Sequence, residues 1–250
     1  MVARLALVFV VACGGKKSAG EDAMRTARDG SVVVDAGSGS GSAASTGEAA
    51  IRVEWKAVPT SARQSPGRTA CNTPRPPAVA PTTMWGIPDA IALAASARKP
   101  EEARITVADC ALKPAIAIAS TLIVESTVDR PLTLTLTRYG TVASLEALKA
   151  GEATPIQLPI TGHAVSLALD PGGVYRLSLG AGSEDAAWIV NAPGGVTDVA
   201  GLATLRLPPG PHEVTAWLPA RGGQEAKVVK STVTVEANNL AELAIDLGPR

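Results

Sequence analysis

Leu132-Thr133-Leu134-Thr135-Leu136-Thr137 sets a leucine at every second position with a threonine between. On an extended chain successive side chains point to opposite faces, so this stretch carries one apolar row and one polar row, as a half-buried β-strand does. Threonine is β-branched and fits the pleated polar face. The same alternation opens the folded part of the chain, where Ile51, Val53 and Trp55 interleave with Arg52, Glu54 and Lys56. Further strands are predicted at 105–110, 121–127, 163–169, 174–179, 187–191, 203–207, 212–218, 228–236 and 241–247. Asp129-Arg130-Pro131, Asp170-Pro171-Gly172-Gly173, Pro193-Gly194-Gly195, Pro208-Pro209-Gly210 and Arg221-Gly222-Gly223 supply turns between them. Many short strands with this punctuation predict an all-β protein of two β-sandwich domains. Helix is expected at 144–150, and 88–97 reads as either helix or buried strand because Ala90 to Ala95 is an unbroken apolar run.

Composition narrows the chemistry. Among 250 residues, 23 Lys and Arg balance 23 Asp and Glu. A nucleic-acid binder needs a basic face to displace phosphate counterions, so that class is excluded as a partner. Two His and three Cys leave few metal ligands or nucleophiles, while a 46% hydrophobic content builds a sizeable core from Ala, Val, Leu and Ile.

The first residues read as an export signal: Arg4, an apolar run from Leu5 to Val11, then Ala12 and Cys13. Val10-Val11-Ala12-Cys13 resembles the bacterial lipobox, in which the cysteine is diacylated. Residues 1–12 are therefore expected to be a lipoprotein signal peptide and Cys13 the lipidation site. No other apolar run approaches the roughly 18 residues of a membrane helix, which leaves the lipid as the anchor. Gly, Ala and Ser make up 22 of the 37 residues from 14 to 50, so 13–50 is expected to be a disordered tether, with Val32-Val33-Val34 as a transient apolar spot. The expected location is the cell envelope, lipid-anchored at the outer membrane on its periplasmic or surface face. In an oxidising compartment, with Cys13 taken by lipid, Cys71 and Cys110 are the expected disulfide. Free thiols or shared metal ligation are the alternatives.

Two stretches carry family resemblances. Cys71, Pro88-Asp89-Ala90-Ile91-Ala92-Leu93, Asp109-Cys110-Ala111-Leu112-Lys113-Pro114 and Leu122 to Asp129 resemble the front half of secreted cupredoxin-like (plastocyanin-like) domains. Thr197-Asp198-Val199-Ala200-Gly201-Leu202, Pro208-Pro209-Gly210-Pro211-His212 and Val214-Thr215-Ala216-Trp217 are similar to the transthyretin-like carboxypeptidase regulatory domain, in which such strands form a hairpin of a small sandwich. The resemblances imply a cupredoxin-like sandwich at 51–192 and a transthyretin-like, Ig-like β domain at 193–250. A cupredoxin holds copper with two His, a Cys thiolate and usually Met. Here Val128-Asp129-Arg130-Pro131-Leu132 stands where the first His belongs, and Gly180-Ala181-Gly182-Ser183-Glu184-Asp185 where the Cys and second His belong. No metal, no cofactor and no catalytic residue are therefore expected.

The remaining chemistry is sparse. His163 and His212 read as partly exposed residues with ordinary hydrogen bonds, and Glu101-Glu102 and Glu184-Asp185 as solvated loop charges. Trp55, Trp85 and Trp188 read as structural. Trp217 alternates with Glu213 and Thr215, opposite Val214, Ala216 and Leu218. That pattern sets it on the outer face of its strand, either as a surface recognition residue for a glycan or partner protein, or packed on the neighbouring domain or under a loop. The expectation is a non-enzymatic envelope lipoprotein acting as a binding or structural module. The alternative is a carbohydrate- or peptidoglycan-associated accessory protein. Oligomeric state is not set by the sequence.

Overall fold

The computed structural model describes residues 46–248 except 70, 161, 181 and 182. The expected signal peptide, Cys13 and the expected tether as far as residue 45 lie outside the described residues. The described chain is all-β. Its first strands are β1 (Gly47–Glu54), β2 (Ile91–Leu93), β3 (Glu102–Ala108), β4 (Ala111–Lys113), β5 (Ile116–Ile118) and β6 (Thr121–Ser126). There follow β7 (Leu132–Thr141), β8 (Ala153–Leu158), β9 (Ala164–Ala168), β10 (Gly173–Ser178) and β11 (Ala186–Val190). The chain closes with β12 (Gly194–Val196), β13 (Leu202–Leu207), β14 (Gly210–Leu218), β15 (Lys227–Val235) and β16 (Leu240–Asp246). Strand β1 begins at Gly47, so the last residues assigned to the tether belong to a sheet.

These strands form four sheets, ordered β13-β1-β16, β12-β2-β14-β15, β5-β11-β10-β7-β8 and β4-β3-β6-β9. The first two enclose one core, where Ile51 and Val53 of β1 and Leu205 and Leu207 of β13 meet Val214, Ala216 and Leu218 of β14. The last two enclose a second core of Ile105, Leu122 and Val124 against Leu134, Leu136, Leu177 and Ile189. A third cluster, Ile91, Leu93, Ile116, Val174, Trp188, Val190 and Trp217, joins the outer face of the β2 sheet to the outer face of the β11 sheet. Two sandwiches are thus stacked back to back, and strands β2, β10 and β11 of the two middle sheets are covered on both faces. This explains the unbroken apolar run at Ala90 to Ala95. A strand covered on both sides has no polar row, and β2 is such a strand, with Ala92 in the first core and Ile91 and Leu93 in the third.

The expected division at 192/193 is corrected. Strand β1 lies between β13, to which it is antiparallel with Ile51 opposite Ala203, and β16, to which it is parallel with Ile51 opposite Leu243. Strand β2 lies between β12 and β14. One sandwich is therefore made of β1, β2 and β12–β16, and the other, β3–β11, is inserted into it. The insertion joins neighbours: Leu93 pairs with Gly194, and the Ala94 amide donates to the Pro193 carbonyl. The residues that carried the cupredoxin-like resemblance are accordingly split, Pro88 to Leu93 in one sandwich and Asp109 to Asp129 in the other. In the transthyretin-like stretch β13 and β14 do not pair as a hairpin, because the Pro208-Pro209 turn carries the chain from one sheet to the facing one. The helix expected at 144–150 is a short 3-10 segment, Val142–Ala147, broken at Ser144 (φ −120°).

Two cross-links hold the long β1–β2 connection to the inserted sandwich. Cys71 and Cys110 form a disulfide across a sequence separation of 39. Closing a loop of that length contributes about 4 kcal/mol in the chain-entropy model. Arg75 meets Asp185 with two parallel bonds, Nε to Oδ1 at 2.7 Å and Nη2 to Oδ2 at 3.0 Å. Asp185 is thus a paired, largely covered carboxylate and not the solvated loop charge its neighbours suggested. The hydrogen bond to Asp185 raises the Arg75 pKa further above its ordinary value.

Candidate functional site

The four tryptophans divide differently from expectation. Trp217 does sit on the outer face of β14, but the inserted sandwich covers that face and its exposure is 0%. It is not a surface recognition residue. Its ring meets Trp188 edge-on at 5.6 Å between centroids, and Trp188 meets Tyr139 likewise at 4.9 Å. Such edge-to-face pairs add about 1 kcal/mol each beyond their area. Trp188 is further fixed by its indole N–H, which donates to the Ala220 carbonyl at 3.1 Å. Trp55 is a core residue, with the Lys227 ammonium 4.4 Å from its ring centroid.

Trp85, read from the sequence as structural, is the exposed one at 44%. Beside it Met84 is 66% exposed, and Val199 and Leu202 on a neighbouring turn are 85% and 37% exposed. Both turns are tightly held. Thr82 Oγ1 accepts from the amides of Met84 and Gly86, and Asp198 Oδ1 from those of Ala200 and Leu202. The two turns meet without room for a side chain: a Cβ on Gly86 would lie 2.0 Å from the Ala200 carbonyl oxygen, and one on Gly201 (φ +79°) 2.5 Å from the Ile87 nitrogen. Trp85 itself holds φ at +64°. That left-handed conformation is costly for a bulky side chain and tends to mark a functional position. No periodicity announced the exposure, because it comes from a turn.

His163 lies in the turn before β9, with its amide directed to the Ile160 carbonyl at 3.4 Å. His212 on β14 lines a groove of about 1220 Å³ between the sandwiches. Its Nε2 lies 2.7 Å from the Pro208 carbonyl and its Nδ1 2.7 Å from Ser96 Oγ. A carbonyl only accepts, so Nε2 carries a proton, and in the neutral ring Nδ1 accepts from the Ser96 hydroxyl. A nucleophilic serine needs this orientation, but also a carboxylate to stabilise the imidazolium formed when the proton moves. The third group here is a neutral carbonyl, and the adjacent acid, Glu213, pairs with Lys230 at 3.4 Å instead. The contacts fit a histidine that fastens the β2–β3 connection to β14. Among the described residues no group of three or more His, Cys, Asp or Glu side chains is placed to hold a metal ion.

A second cavity, of about 560 Å³, opens beside the aromatic trio. Its lining includes Tyr139, Leu148, Trp188 and Trp217 together with Arg176, Arg221 and the acids Glu146, Glu184 and Glu225. Arg221 donates from Nη2 to the Asp89 carbonyl at 3.1 Å and pairs through Nη1 with Asp89 Oδ2 at 3.4 Å. Burial pulls its guanidinium below the ordinary arginine range, with Asp89 opposing. The geometry defines a two-sandwich all-β protein with exposed apolar side chains on two abutting turns and an aromatic-lined cavity. Compared with known protein families, curated proteins and solved structures, the chain matches none.

Proposed function

We propose that this is a non-enzymatic, lipid-anchored cell-envelope protein, held at the membrane through Cys13 and acting as a β-sandwich binding or structural module. The observation that carries the reading is the Cys71–Cys110 disulfide. Structural disulfides persist where thiols are not kept reduced, which agrees with the export signal and lipobox-like sequence. The binding role is supported by Trp85, Met84, Val199 and Leu202, an apolar platform on rigid turns of the kind that concentrates contact energy in a protein partner. Feeding cells an alkyne-tagged palmitate tests the anchor. The wild-type protein should take up the label and fractionate with membranes, and Cys13→Ser should do neither. An unlabelled wild-type protein, or Cys71 and Cys110 recovered as free thiols, would sink the reading.

The half-exposed indole of Trp85 is also what favours the second reading, a glycan- or peptidoglycan-associated accessory module. Trp85→Asn separates surface function from structure. Asparagine adopts positive φ more readily, so the melting temperature is expected to stay within about 2 °C of wild type. A much larger drop would make Trp85 a structural residue. Retention on cell-wall glycan that is lost in Trp85→Asn would favour the second reading, and no retention by the wild type would remove it.

A further inference from the structure

Burying an N–H without an acceptor forfeits its hydration with nothing in return, so such groups are few and each calls for a reason. Among the described residues four buried side-chain nitrogens make no hydrogen bond, Arg52 Nε, Trp55 Nε1, Trp217 Nε1 and Arg221 Nε, and of these Arg52 Nε is ion-paired with Glu54 Oε1 at 2.9 Å. Two of these four residues, Trp217 and Arg221, line the same 560 Å³ cavity. Both groups are donors only. The other two nitrogens of Arg221 each donate one bond to Asp89, which leaves Nε as the guanidinium nitrogen with no hydrogen bond.

We propose that this cavity binds a small monocarboxylate bearing an apolar group, with Trp217 Nε1 and Arg221 Nε donating to the carboxylate and Tyr139, Leu148 and Trp188 flanking the apolar part. A carboxylate is the natural complement because it only accepts, and its bond to a guanidinium is charge-assisted. A hydroxyl or an ammonium would bring donors to a place that already has two. The exposed acids Glu146, Glu184 and Glu225 also line the cavity and repel any anion, which weakens binding of a monocarboxylate and weakens that of a more highly charged ligand further. Both unpartnered nitrogens are sealed from solvent, so the ligand reaches them as the lining side chains part. This deepens the binding-module reading above and rests on it for there being a ligand at all.

The test titrates the full chain, nitrogen-15 labelled, with N-acetylphenylalanine and, separately, with its amide. The Trp217 indole N–H resonance, identified by its loss in Trp217→Phe, is expected to move downfield and saturate with the acid. The amide should bind about tenfold more weakly, as the loss of a charge-assisted bond implies. Trp217→Phe keeps the ring but removes the donor, and Arg221→Lys keeps the charge but removes the Nε geometry. Each should weaken binding about fivefold or more with the fold retained. If Trp217→Phe does not fold, Arg221→Lys and the acid-to-amide comparison still decide. No saturable shift up to about 10 mM acid, equal affinity for acid and amide, or affinity unchanged in the variants would each overturn the proposal and leave the cavity to water. Palmitate labelling at Cys13 that persists when the probe fails would discard this inference alone.

Discussion

A chain made of residues 193–250 alone is expected to be unfolded, with random-coil circular dichroism and no cooperative thermal transition. The reason lies in strand order. Both β13 and β16 pair with β1, so without β1 the first sheet has no middle. The second sheet loses β2, which separates β12 from β14. Ile51, Val53, Trp55 and Ala92 leave the core with them. Burying a Val, Leu or Ile side chain is worth about 1.5–3 kcal/mol, and a chain of this size starts with little margin. The complementary design is expected to fold: residues 46–97 joined to 193–248 by a short turn, because Leu93 and Gly194 are already paired neighbours. A cooperative melt from 193–250 alone would show that the sheets close without β1 and refute this account.

Trp217→Ala is expected to lower stability by about 4–5 kcal/mol, near the upper end for an aromatic truncated in a core. The residue is fully buried, packed edge-on against Trp188, and set where the outer faces of two sheets meet. The cavity it leaves lies between the β14 sheet and the β11 sheet, and neither sheet can move inward without straining its own strand pairings. Chemical denaturation should report the loss as a lower midpoint. A change under about 1 kcal/mol would mean that the contact between the sandwiches contributes little.

How much of this could be read from residues depended on how many faces of a strand are covered. Strands β1, β7 and β13 bury one face and alternate cleanly, so their period of two was visible in Ile51/Val53, Leu134/Leu136 and Leu205/Leu207. Strand β2 is buried on both faces, and Ile91-Ala92-Leu93 therefore carried no period to distinguish strand from helix. Strand β8 was hidden by Pro155; it is an edge strand, where a missing N–H is tolerated. The short strands β4, β5 and β12 have three residues each, too few for any pattern. Trp217 shows the same limit at the site. Its face was legible from Val214, Ala216 and Leu218 opposite it, but what lay over that face depended on an insertion between β2 and β12 that no local pattern reports. Trp85 failed for the opposite reason. A hydrophobic residue is expected inside, and only the turn geometry at Thr82 to Gly86 lifts the indole out.

The parallel pairing of β1 with β16 has a mechanical meaning. The chain enters this sheet at Gly47 and leaves it near Leu247, and because the two strands run in the same direction those points lie at opposite ends of the ladder. A pull between them runs along the strands, so the hydrogen bonds from Glu48–Leu240 to Glu54–Asp246 share the load at once and do not open one after another. A protein held by its N-terminus while a partner draws on its C-terminal strand would bear that force in shear, the direction in which a β-ladder yields last.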